Sequence, residues 1–120
     1  MTARSLLFAP AFLLCAAGPA SAHAFLDHAD PAVGSTIHGA PPEMHLWYTQ
    51  DLEPAFTTVQ VVDASGKQVD KGDKHVDATD KAQLIITLQQ LPPGVYKVIW
   101  RALSVDTHVT EGHFAFEVVP

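Results

Sequence analysis

A chain of 120 residues has room for one domain, and 13 acidic residues against 7 basic ones give it a net charge of −6. That balance argues against a nucleic-acid partner and offers no attraction to anionic lipid. One cysteine supplies no disulfide framework, whereas seven histidines are many for this length and make metal ligation the chemistry to test.

In chain order, the start reads as a secretory signal peptide over residues 1–22. Arg4 supplies the positive region, Leu6 to Ala17 form the apolar run, Gly18-Pro19 break it, and Ala20-Ser21-Ala22 give a small-residue cleavage site. The run is too short to span a bilayer, and no later segment replaces it, so no membrane insertion is expected after cleavage. Leu14 before Cys15 does not fit a lipid-attachment signal. The expected mature domain is 23–120; it keeps all seven histidines, loses Arg4 and Cys15, and carries a net charge of −7. A retained amphipathic anchor is the alternative.

Past residue 22 short apolar runs recur between Pro, Gly, Asp and Ser. Met44–Tyr48, Thr57–Val62, Gln83–Leu88, Gly94–Leu103 and His113–Val119 are rich in β-branched and aromatic residues, as strands are. Alternation predicts that Tyr96, Val98 and Trp100 share one face of their strand and Lys97, Ile99 and Arg101 the other. Phe114, Phe116 and Val118 likewise point one way. Asp63–Lys67 reads as a hairpin turn and Leu91–Gly94 as a further break. No segment has a helical period, and the expected architecture is an all-β, antiparallel Greek-key β-sandwich of immunoglobulin-like or cupredoxin-like type. Trp47 and Trp100 are expected in its core.

Two places carry chemistry. In Ser104-Val105-Asp106-Thr107-His108, extended chain would set the Asp106 carboxylate and the His108 imidazole side by side. Alone that pair is commonplace, and an ordinary surface hydrogen bond explains it. His23 stands directly behind the cleavage site. Once exposed, its α-amine and ring Nδ1 close a chelate ring. With Asp106 and His108 the set is three nitrogens and one oxygen, a combination that suits tetragonal Cu(II) and that Zn(II) would take only as a tetrahedron. His28 and His113 are candidates to approach the same end, with an exposed position the plainer reading for His113. His38, His45 and His75 have no neighbour at metal spacing.

These residues resemble the periplasmic copper-resistance CopC proteins. The likeness runs over the whole mature chain: His23-Ala24-Phe25-Leu26, Asp30-Pro31-Ala32-Val33-Gly34-Ser35, and G-x-Y-x-V-x-W-R-x-x-S-x-D-x-H-x-x-x-G-x-F-x-F from Gly94 to Phe116. The resemblance implies a small β-sandwich that binds one Cu(II) per chain through His23, Asp106 and His108, in the periplasm, without catalysis. It also implies an inner-membrane CopD-like partner. Two departures stand out. Gln50 replaces a carboxylate that many members carry after the first strand, with Asp51 or Glu53 as possible substitutes. Met44 is the one methionine of the mature chain, too few for the thioether Cu(I) site of some members, so a Cu(II)-only protein is expected. Arg101 and Ser104 look like supports for the Asp106 segment. Two further readings stand beside this one. Lytic polysaccharide monooxygenases also hold copper on a terminal histidine, but Asp106 would crowd the open position they need; a plain structural sandwich would leave His23 there by chance.

Overall fold

The computed structural model describes residues 23–120, and the expected leader lies outside the described residues. Eight strands form two four-stranded sheets: β1 (Leu26–Asp30), β2 (Thr36–His38), β3 (Glu43–Tyr48), β4 (Thr58–Val62), β5 (His75–Val76), β6 (Gln83–Thr87), β7 (Gly94–Leu103) and β8 (Val109–Val119). The first sheet runs β1-β3-β6-β5 and the second β2-β8-β7-β4. The expected all-β sandwich is therefore present. It departs from antiparallel pairing in one place, since β2 runs parallel to β8. Apart from the strands, the described residues hold a single 3-10 turn, Pro54–Phe56.

Alternation explains the core. Tyr96, Val98 and Trp100 from β7 meet Phe114, Phe116 and Val118 from β8, all buried, against Met44, Leu46, Leu84 and Ile86 of the opposite sheet. Each such side chain contributes about 1.5–3 kcal/mol on leaving water, and together they replace the missing disulfides. Lys97, Ile99 and Arg101 face outward, as the period of two requires. Asp63–Lys67 closes as a tight turn, with the Asp63 amide donating to the Lys67 carbonyl at 2.9 Å and the Asp63 carboxylate capping the Ser65 and Lys67 amides.

One core expectation is wrong. Trp100 is buried, but Trp47 lies on the outer face of the first sheet, stacked between His28 at 4.4 Å and His45 at 5.6 Å. In β3 it is Met44, Leu46 and Tyr48 that point inward, so the odd-numbered Trp47 must point out. His45 is hydrogen-bonded to the Gln83 side chain at 2.7 Å and to Glu43 at 2.8 Å. Although partial burial opposes it, those two acceptors raise its pKa above the ordinary imidazole value. His28 pairs with Asp27 at 2.6 Å. Both histidines thus belong to an outward-facing aromatic row.

Candidate metal centre

The β7–β8 connection, residues 104–108, sits at the end of the sandwich that residues 23–25 also occupy. Leu103 pairs with Val109 at the base of this hairpin, and one residue further up β8 the Thr110 hydroxyl donates to the Ala24 carbonyl at 2.5 Å. Sequence distance between residues 23 and 108 thereby becomes spatial contact: the His23 and His108 rings lie 4.5 Å apart, tilted by 30°. The Phe25 ring also lies near His23, at 5.7 Å.

Asp106 and His108 do come together, but not by strand alternation. The segment is a turn, closed by Thr107 N–H to Ser104 carbonyl at 2.9 Å and Ser104 N–H to His108 carbonyl at 3.0 Å. Thr107 adopts φ 73°, a left-handed conformation that a β-branched residue takes at a cost of order 1–2 kcal/mol. The turn delivers the Asp106 carboxylate to 3.4 Å from His108 Nδ1. Ser104, wholly buried, donates its hydroxyl to the same carboxylate. That hydroxyl, with lesser help from His108, holds the Asp106 carboxyl below the usual carboxylate range. A contact this exposed adds little to folding, so stability alone does not account for the strained turn that builds it.

Among the described residues no group of three or more His, Cys, Asp or Glu side chains is gathered closely enough to enclose a metal ion. The three candidates adjoin in pairs instead, His23 with His108 and His108 with Asp106. His108 and Asp106 are exposed at the surface, 53% and 39% in their side chains, so turning either toward a common point gives up little packing. Two imidazoles and a carboxylate are donors that suit a borderline divalent ion such as copper.

The other candidates go elsewhere. Arg101 reaches Glu111 across the hairpin at 3.9 Å rather than the Asp106 turn, so only Ser104 of the two expected supports acts as one. His113 is exposed on the outer face opposite Ile99. His28 is taken up by Asp27 and Trp47. Asp51 and Glu53 meet the turn region through their backbones: the Asp51 carbonyl accepts from Val105 N–H at 3.1 Å, and Glu53 N–H donates to the Leu103 carbonyl at 2.8 Å. Sequence reasoning missed Thr49 and Thr110, which bind the main chain of residues 23–25. Thr49 stands in Tyr48-Thr49-Gln50, where the departure from the family pattern draws attention to Gln50 alone, and Thr110 falls at an unspecified position of the carboxy-terminal pattern.

Residues 26–119 match the CopC domain, and so cover both strands of the hairpin and the turn between them. The chain belongs to the CopC family. Protein YobA of Escherichia coli K12 is 34% identical over 98% of this chain and 97% of its own length. Copper resistance protein C of Pseudomonas syringae pathovar tomato is 32% identical over 93% and 91%. Among solved structures, CopC from Methylosinus trichosporium OB3b superposes with a TM-score of 0.77 and 32% identity, covering 82% of this chain and 95% of that one. The chain is accordingly a non-enzymatic β-sandwich member of a family that includes proteins named for copper resistance.

Proposed function

We propose that this CopC-family protein is a periplasmic Cu(II) carrier or buffer, exported by a cleaved leader of residues 1–22, which binds one copper per chain. The α-amine and ring of His23, the Asp106 carboxylate and the His108 imidazole are its ligands. The observation that carries this reading is the contact of the His23 and His108 rings at 4.5 Å, at the chain position that cleavage after Ala22 turns into an amino terminus. Two imidazoles, an amine and a carboxylate favour Cu(II) over softer ions. Met44, the remaining thioether, is fully buried in the core and unavailable to Cu(I), which supports a Cu(II)-only protein. A CopD-like inner-membrane protein is the proposed recipient.

The pH dependence of binding tests the donor set. Asp106 has a lowered pKa, so it stays ionised as pH falls and gives up its charge last. Nitrogen donors take up protons well above the carboxylate range, and each one displaced weakens binding by about tenfold per pH unit. In a competitive titration of a protein beginning at His23, Cu(II) affinity is expected to collapse between neutral pH and about pH 5. Affinity that held steady until carboxylates protonate would contradict a nitrogen-dominated site.

A further inference from the structure

Three consecutive carbonyl groups lead away from residue 23, and each is held by a threonine. Thr49, the first residue past β3 in the first sheet, uses its hydroxyl twice. It donates to the His23 carbonyl at 3.1 Å and accepts from Phe25 N–H at 3.0 Å. Its own N–H donates to the Phe25 carbonyl at 2.9 Å. Thr110, in β8 of the second sheet, donates its hydroxyl to the Ala24 carbonyl at 2.5 Å. Between these anchors the Ala24 methyl is fully buried in the core cluster.

We propose that Thr49 and Thr110 are positioning residues for copper: a two-sheet clamp that fixes the main chain of residues 23–25, so that the His23 amine and ring are presented to Asp106 and His108 in one arrangement. The proposal rests on the reading of His23 as a ligand. First residues of a domain are ordinarily poorly ordered, and a loose donor must be ordered when the metal arrives, which weakens binding. Here that ordering is built into the fold itself. Each threonine hydroxyl acts on peptide groups, not on the nitrogens proposed to take the metal. Because Thr49 directly follows β3 of the first sheet and Thr110 lies in β8 of the second, the clamp also fixes where residue 23 stands relative to the β7–β8 turn. That turn continues from the β7 and β8 strands of the second sheet.

The test compares Thr49→Val and Thr110→Val, which keep shape and lose the hydroxyl, with Thr49→Ser and Thr110→Ser, which keep it. All begin at His23, and Cu(II) affinity by competition and the Cu(II) electron paramagnetic resonance spectrum are read for each. Each valine is expected to weaken binding by roughly tenfold and to alter the spectrum; both serines restore the wild-type values. Valine variants with wild-type affinity and spectrum, or serines as impaired as valines, overturn the clamp. Should a valine variant not fold, hydrogen exchange of the copper-free wild type decides: protection of the Phe25 amide supports the clamp, and free exchange overturns it. Failure of the underlying reading looks different, since His23→Ala would then bind copper as tightly as the wild type.

Discussion

Replacing His108 with alanine, in a protein that begins at His23, is expected to weaken Cu(II) binding by more than about a hundredfold, beyond the ~10–100-fold typical of outer partners of a metal site. The unfolding temperature should move by no more than about 4 °C, because substitutions at exposed positions change stability by about 0.5 kcal/mol or less. The His108 side chain is 53% exposed and its contact with Asp106 is a surface pair, so little of the fold depends on it. Asp106→Asn keeps the shape of the side chain and its contact with Ser104, and removes only the charge; a smaller loss of about tenfold is expected. His113→Ala and His28→Ala serve as controls, since the former lies on the outer face of the second sheet and the latter is stacked on Trp47. Both are expected to bind copper as the wild type does. Competitive titration of the four variants beside thermal unfolding checks the set, and a His108→Ala protein with unchanged affinity would remove the turn from the site.

Replacing Gly112 with alanine should destabilise the fold by about 2–3 kcal/mol, the usual result of overpacking a filled core. A Cβ built at Gly112 falls 2.6 Å from Trp100 Cζ2 and 2.8 Å from Cε2, far inside van der Waals contact. Trp100 has nowhere to retreat: it is buried, and the edge of Tyr48 meets it at 5.3 Å. The two residues sit opposite each other in the β7–β8 register, so the ring lies over its own partner position. For a domain of this size the change corresponds to a drop of about 10–20 °C in unfolding temperature. Calorimetry would measure it directly. Because Gly112 lies two residues from Thr110, such strain also threatens the anchor of Ala24.

The Trp100–Gly112 contact shows why the long carboxy-terminal pattern is recognisable from the order of its residues alone. Its letters are partners: the Trp covers the Gly, the Ser donates to the Asp, and the Asp meets the His. Strands β3, β7 and most of β8 are legible because each buries one face and alternates, and β4 and β6 because they are short apolar runs rich in β-branched residues, Leu84, Ile85 and Ile86 of β6 all being buried. Strand β1, with the sequence Leu-Asp-His-Ala-Asp, and the three-residue β2 are not, since edge strands bury little and carry polar residues on both sides. The start of β8 at Val109 also escapes notice, as Val109 to His113 exposes residues that a core-facing pattern would hide. Trp47 misleads for the opposite reason. A large apolar ring normally signals the core, yet three inward neighbours of the other parity fix it outside, where two imidazoles cover its faces. Asp106 and His108 are rightly paired by sequence on a mistaken geometry. The left-handed Thr107 that makes their turn leaves no trace in composition, because threonine is among the residues least expected there.

The proposed chelate at residue 23 joins export to metal binding. While residue 22 is attached, the nitrogen of His23 is an amide with no basic lone pair, so a precursor still carrying its leader would bind copper weakly. The most direct test is a competitive Cu(II) titration of residues 23–120 beside the same protein with one glycine placed before His23. The added residue keeps every side chain and moves the amine away. A native start that binds one copper more than about a hundredfold tighter is the expected result. Equal affinities would show that the terminus is not a ligand, and would return Asp106 and His108 to an ordinary surface pair.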